Sequence, residues 1–366
     1  MIKVLVVDDS PLVRKLFGGV LTSEPGFEVA FARDGVEALE RLDSFEPDVI
    51  TLDVNMPQMN GLECLDRIMV HRPCPVVMVS SVTAEGAEAA LAALRLGAVD
   101  FIPKPTGAVS LHMAKFAPTF LEKVRAAAAA KLPASHRLRE RVRLRAAARR
   151  SSRLRTPVNG QIEVEVEPIA GNGVVLVGTS TGGPPALEAL LVPLPNSFSW
   201  PILIAQHMPA GFTGTLAKRL DGICPLTVLE ASRPMPLQTG HVYIGQGDAD
   251  IVVSRRPSGL VVMAVPAKSS YLWHPSTDRL VRSAMEYLPP TQLIGVLMTG
   301  MGNDGAAAMT ELRTRGGRTI AEAEETAVVW GMPGELVRLG GADWVLPLPQ
   351  IAERLTQLVP KNAAHA

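Results

Sequence analysis

The sequence predicts an α/β protein built in two parts, each with a parallel sheet, the second carrying an antiparallel β insertion. Three observations predict it. Strand-sized β-branched runs alternate with amphipathic stretches over residues 1–125, and the same alternation resumes from Gly173. The 366 residues are too many for one ordinary core, so two to three domains are expected. Between the alternating regions lies a stretch whose composition cannot build a core.

In the first part, apolar runs at Val4 to Val7, Val49 to Leu52, Val76 to Val79 and Val99 to Ile102 read as strands, separated by amphipathic stretches of helical length. Ser10 followed by Pro11 suits the N-cap and first position of the opening helix. Five βα units of this kind describe a parallel sheet covered on both faces. From Lys131 to Arg155 ten basic residues stand against the single acid Glu140, a local net of +9 in a chain whose formal charge is zero. The segment 126–170 therefore reads as an Arg-rich, partly helical linker, a solvated and self-repelling tether. In the second part, 171–360, strands are expected at VVLVG, PILIAQ and LTVLE. A Gly- and Pro-punctuated β-rich stretch follows to about Val265, then further βα units at LIGVLMT and RTIAE and a C-terminal helix. Residues 361–366 form a tail.

Balanced charge gives no reason to expect a polyanionic partner, and the Arg run comes without a helix-turn-helix signature, so no nucleic acid is expected. Cys64, Cys74 and Cys224 have neither C-x-x-C spacing nor a disulfide pattern. The start MIKVLVVDDS runs straight into a strand without a signal-peptide pattern, and no apolar run approaches the ~18 residues of a membrane helix. A cytoplasmic protein is expected.

Asp8 and Asp9 end the first strand and Asp53 ends the third. Strand C-termini of a parallel sheet meet at one edge, so three carboxylates converge there and raise each other's pKa unless a cation sits among them. Mg²⁺ is the economical choice for so few oxygen ligands. Ser80 ends the fourth strand and Lys104 follows the fifth; a hydroxyl and an ammonium beside a metal-bound carboxylate would hold a phosphoryl group. VVDDS, LDVNMP, Ser80 and IPKP together resemble the two-component response-regulator receiver domain, a flavodoxin-like (βα)5 fold, over 1–125. The resemblance implies that Asp53 accepts phosphate from a histidine kinase. It also implies that Asp8, Asp9, Asp53 and the Asn55 backbone hold Mg²⁺, that Ser80 and Lys104 contact the phosphoryl group, and that Phe101 is the aromatic switch residue.

GTSTGG at 178–183 satisfies G-x-S-x-G between a strand and a helix, a turn that presents Ser180 near backbone N–H groups and a helix N-terminus. By itself such a turn is structural, phosphate-binding or catalytic. A serine nucleophile needs a base. His207 follows PILIAQ directly and Asp304 follows LIGVLM, so serine, base and acid would come from one sheet edge. His241 and His274 remain alternatives. An ordinary α/β-hydrolase would need its histidine last, at His365 in the tail. Gly300, Gly302 and Gly305 also spell G-x-G-x-x-G with Glu322 ending the next strand, a dinucleotide pattern, although Asp304 would repel a pyrophosphate there. A receiver-linked dinucleotide-binding or DNA-binding output protein is the rival reading.

GTSTGG, QHMPAGFT, WHPSTD, TGMGNDGA and AVVWGMP resemble the chemotaxis protein-glutamate methylesterase (CheB) family across 173–350. The resemblance implies hydrolysis of glutamate γ-methyl esters, and deamidation of glutamines, on methyl-accepting chemoreceptors, for sensory adaptation. It implies a chemotaxis-type histidine kinase as phosphodonor, membrane association only through the receptors, and no cofactor for the esterase step. Ser180, His207 and Asp304 fall on the family's triad. Thr181 and Met301 fall beside it, at positions associated with the oxyanion site and active-site lining. GQG at 245–247 and AEAEE at 321–325 depart from the family's commoner Ala-Pro-Gly and Gln-Asp, changes expected to bear on substrate fit.

Overall fold

The structure is a computed structural model that describes residues 1–105, 109–132, 169 and 171–360. Most of the Arg-rich linker and the C-terminal tail, with His136 and His365, lie outside the described residues. Two compact units are present, each built on its own parallel sheet.

The first sheet and its helices run β1 (Ile2–Val7), α1 (Pro11–Thr22), β2 (Phe27–Ala32), α2 (Gly35–Phe45), β3 (Val49–Asp53), α3 (Gly61–His71), β4 (Val76–Ser80), α4 (Ala84–Leu96), β5 (Asp100–Pro103) and α5 (Val109–Ala128). Its strand order is β2-β1-β3-β4-β5, all parallel. Strands β3 and β4 are buried at every position, as expected of strands covered on both faces. Asp34 and Asn60 cap α2 and α3 by accepting from Glu37 N and Glu63 N, both at 2.9 Å. Ser10 stands at the N-cap of α1 with Pro11 after it, but its side chain makes no capping bond. Its amide donates instead to Asp8 Oδ1 at 2.9 Å, so this helix start is tied to the strand-end carboxylate.

The second unit runs β6 (Val174–Thr179), α6 (Gly183–Leu191), β7 (Ile202–Gln206), α7 (Thr213–Asp221), β8 (Thr227–Ala231), β9 (Met235–Pro236), β10 (His241–Gly245), β11 (Ala249–Arg256) and β12 (Gly259–Pro266). It continues with α8 (Thr277–Tyr287), β13 (Leu293–Leu297), α9 (Ala306–Thr314), β14 (Arg318–Glu322), α10 (Met332–Arg338), β15 (Trp344–Leu346) and α11 (Leu348–Leu358). The seven-stranded sheet has the order β15-β14-β13-β6-β7-β10-β8. The expected antiparallel insertion is the small sheet β11-β12-β9. One strand of that region, β10, instead lies parallel between β7 and β8. Its four buried residues Val242 to Gly245 have the continuous burial of an interior strand, whereas β11 alternates toward one face. Leu280, Val281, Ala284 and Met285 of α8 share one buried cluster with Leu297 of β13 and with Met309 and Leu312 of α9. This packing fixes the N-terminus of α8 beside the C-terminal ends of β6 and β13. Among the described residues no helix is long and apolar enough to cross a membrane.

Candidate functional site

In both sheets the chain leaves the first strand to one side and returns on the other, between β1 and β3 and between β6 and β13. Crevices outside strand C-termini at such reversals are where α/β sheets place their ligands.

At the β1/β3 reversal Asp8 and Asp53 are buried and Asp9 is exposed, with one carboxylate oxygen of each within 4.8 Å of the others. Lys104 Nζ lies 2.7 Å from Asp53 Oδ2 and 3.1 Å from Asp8 Oδ2. Burial pushes the Asp53 carboxyl above its usual range and Asp8 adds to this, against the opposing pull of Lys104 and the Asn55 amide. Burial works the other way on Lys104, but Asp53 and Asp8 outweigh it and hold the ammonium above its usual range. Asp8 Oδ2 is buried without an aligned hydrogen bond, its approach to Lys104 being an ion pair of poor hydrogen-bond geometry. One ammonium against three carboxylates leaves this group in negative excess, and its all-oxygen donors fit a small hard cation such as Mg²⁺. Asn55 N donates to Asp53 Oδ1 at 3.3 Å. Ser80 is buried at the end of β4, beside β3, and its carbonyl accepts from Lys104 N at 2.7 Å. Phe101 is buried on β5, with Lys123 Nζ 5.5 Å from its ring centroid.

At the β6/β13 reversal Ser180 opens the turn into α6, half-buried, and its amide donates to Thr299 O at 3.0 Å. Gly300 meets it closely: a Cβ there would lie 2.8 Å from Ser180 Cβ. His207 follows β7; its amide donates to Thr179 O at 3.0 Å, and Gln206 Nε2 bridges Ser180 O and His207 O, each at 3.0 Å. His207 Nε2 lies 2.8 Å from Asp304 Oδ2, while Nδ1 is buried and has no protein partner among the described residues. The Trp273 ring stacks on the imidazole, with centroids 5.9 Å apart and planes within 6°.

Asp304 is held by the start of α8. Ser276 Oγ donates to Oδ1 at 2.9 Å, Asp278 N to Oδ1 at 3.1 Å and Thr277 N to Oδ2 at 2.6 Å. Burial alone would raise its pKa. The hydrogen bond and charge of His207, with the Asp278 and Thr277 amides, outweigh that and hold the carboxyl below its usual range. Ser276, Thr277 and Trp273 belong to WHPSTD, whose Ser-Thr-Asp is readable as a helix start, but nothing local says that the start grips Asp304. Thr181 is buried and its carbonyl accepts from Thr299 Oγ1 at 2.9 Å; Met301 is half-buried in the turn after β13.

Of the alternative histidines, His241 begins β10 and so lies at the sheet edge opposite Ser180. His274 Nδ1 is 2.8 Å from Asp250 Oδ1, a second pair whose carboxylate also accepts from Ser276 N at 2.9 Å and Arg279 at 2.6 Å. The dinucleotide reading is not supported, for physical reasons. Gly302, at φ +80°, lets Trp273 pack where a Cβ would come within 2.6 Å of its ring, and Gly300 serves the approach to Ser180. Glu322 is fully buried and bonded to Thr299 N, so no ribose can reach it.

Comparison with known proteins agrees with both halves. The CheB methylesterase family model matches residues 175–355 and the response regulator receiver domain model matches 4–115. A protein-glutamate methylesterase/protein-glutamine glutaminase of Rhodopseudomonas palustris is 53% identical over the whole of both chains. One of Rhodospirillum rubrum is also 53% identical, over 97% of this chain and 95% of its own. The crystal structure of the Thermotoga maritima CheB methylesterase catalytic domain covers 52% of this chain and all of its own, at 37% identity and a TM-score of 0.50.

Proposed function

This chain belongs to the CheB methylesterase family, and on that premise we propose that it hydrolyses glutamate γ-methyl esters, and deamidates glutamines, on chemoreceptors under control of its receiver domain. It is a hydrolase and a response regulator. The observation that carries the site assignment is the His207–Asp304 pair at 2.8 Å, on the sheet edge where the turn bearing Ser180 is tied to both loops.

With Nε2–H donated to Asp304, Nδ1 is the unprotonated ring nitrogen and takes the Ser180 proton. Asp304, kept ionised by His207 together with the amides at the start of α8, holds this tautomer and stabilises the imidazolium. The Ser180 oxygen attacks the ester carbonyl, methanol departs with the proton returned by His207, and water resolves the acyl-enzyme. Thr181 and Met301 would line the site beside the developing oxyanion. Deamidation follows the same course with ammonia as leaving group.

In the receiver, Asp53 accepts the phosphoryl group from a chemotaxis-type histidine kinase, and Ser80 and Lys104 contact it. Asp8, Asp9, Asp53 and the Asn55 backbone would hold Mg²⁺, which supplies charge neutralisation for phosphoryl transfer. The place of action is the cytoplasm, on receptor tails, consistent with Cys64 and Cys74 remaining as free buried thiols.

The test is methanol release from methylated receptor membranes with and without a small phosphodonor. Ser180→Ala lowers turnover by about 10⁴ or more; wild-type methanol release by that variant would overturn the assignment.

A further inference from the structure

Under the turn that carries Ser180 lies a carboxyl group the triad does not use. Glu322 ends β14 with 0% exposure, and no cation offsets its burial among the described residues. Both of its oxygens are engaged: Oε2 accepts from Thr299 N at 2.8 Å, and Oε1 from Thr326 Oγ1 at 3.0 Å. Burial pushes this carboxyl above its usual range, against the pull of those two donors.

Thr299 is the residue through which the nucleophile turn is held. Its carbonyl accepts from Ser180 N and from Thr179 Oγ1, both at 3.0 Å. Its hydroxyl donates to Thr181 O at 2.9 Å and accepts from Val329 N at 3.0 Å. Residues 179, 180 and 181 are thus each bonded to Thr299, and the Thr299 amide is bonded to Glu322. An apolar side chain would fill the place at a lower desolvation cost, but would strand the Thr299 N–H without an acceptor in the sheet interior. The Thr326 hydroxyl also reaches Ala323 O at 3.3 Å and accepts from Leu348 N at 3.0 Å, so it can turn its proton either way. The bond to Thr299 therefore survives whether or not Glu322 is protonated.

We propose that Glu322 is a positioning residue for the esterase reaction: through the Thr299 amide it fixes the backbone of residues 179–181, and with it the Ser180 hydroxyl relative to the His207 ring. The inference rests on Ser180 being the nucleophile. It assigns Glu322 no contact with substrate.

The test uses the full chain, activated by a small phosphodonor, with methanol release, thermal melting and the rate of Ser180 labelling by a fluorophosphonate as readouts. Glu322→Ala lowers kcat and the labelling rate about ten- to hundredfold, with KM changed less than about twofold, because misplacement acts on the reacting atoms rather than on binding. Glu322→Gln stays within about threefold of wild type, since its carbonyl can accept from Thr299 N while its amide donates to the Thr326 hydroxyl. Thr319→Val supplies the structural control: it removes a buried hydroxyl bond to Gly341 O in the same strand, lowering Tm while kcat per folded molecule is kept. If Glu322→Ala does not accumulate as folded protein, Glu322→Asp, which withdraws the acceptor by one carbon, shows the same loss of kcat. The inference is overturned if Glu322→Ala or Glu322→Asp loses only Tm and keeps kcat, or if Glu322→Gln is as slow as Glu322→Ala. Ser180→Ala, run beside them, separates the two readings: activity in that variant defeats the nucleophile assignment, whereas its inactivity with normal kcat in the Glu322 series defeats only the positioning role.

Discussion

Two buried carboxylates in the second unit, Asp304 and Asp250, share a solution to the same problem. Each pays for desolvation with several aligned donors: Asp304 with Ser276, Thr277, Asp278 and His207, Asp250 with His274, Ser276, Arg279 and Lys268. Burial raises the pKa of Asp250, but His274 and Arg279 and the Ser276 and Lys268 amides outweigh it and hold the group below its usual range. A depressed folded-state pKa means the unfolded chain binds the proton more readily. The stability Asp250 contributes is therefore complete above the ordinary carboxylate value and is lost as pH falls through the folded value. Asp250→Asn is expected to lower stability by about 1–3 kcal/mol at pH 7. The difference narrows at the acid end, where the native carboxylate is itself protonated. Melting curves of the two proteins at neutral and acid pH check this; an unchanged gap would show that shape, not charge, is what the site requires.

At the scale of elements, the start of α8 matters more than its sequence suggests. Ser276 is an N-cap whose hydroxyl takes a weak bond from Arg279 N at 3.3 Å and donates to Asp304 Oδ1 at 2.9 Å. A helix N-terminus offers unpaired amides and a positive end, and here both are turned on a carboxylate from the turn after β13. Ser276→Ala removes the cap and one of the Asp304 donors. The expected cost is about 1 kcal/mol of stability, together with a fall in kcat at nearly constant KM. Steady-state kinetics beside a denaturant titration measure both. Unchanged kcat with the stability loss intact would mean that the Thr277 and Asp278 amides hold Asp304 unaided.

For the whole molecule, the same topological device is used twice. Two parallel sheets each reverse direction beside the first strand of their unit, and each reversal gathers the residues proposed for one chemistry: phosphoryl acceptance at Asp53, acyl transfer at Ser180. Under the proposed function, control by Asp53 would reach Ser180 through a change of arrangement. Asp53→Asn is expected to abolish stimulation by a phosphodonor while leaving basal methanol release intact, and chelation of divalent cations should act in the same way. A fragment spanning 166–366 should exceed the basal rate of the full chain if the receiver restrains the esterase. A fragment no faster than the unphosphorylated protein would instead assign the receiver a purely activating role.

The sequence alone determined the residues that end strands. Asp8, Asp9, Asp53, Ser80, Ser180 and His207 stand at strand ends or within two residues of them, and Asp304 in the turn after β13; all were legible as candidates, because in a parallel sheet the C-terminal ends share one edge whatever the rest of the fold does. Strand ends are local features, marked by an apolar run giving way to polar residues. Only the tertiary structure decided what depends on pairing across long separations. It placed β10 inside the main sheet, although local pattern cannot tell an inserted hairpin strand from a central one. It turned Nε2 of His207 toward Asp304 and left Nδ1 without a partner among the described residues, with Trp273 stacked on the ring and the start of α8 holding Asp304. It put Glu322 beneath Thr299, where a carboxyl that the rival dinucleotide pattern would make a ribose ligand is a buried acceptor for a backbone amide. Chain order shows which side chains reach the edge of a sheet; the partners that orient them come from segments distant in sequence, through contacts with no local signature.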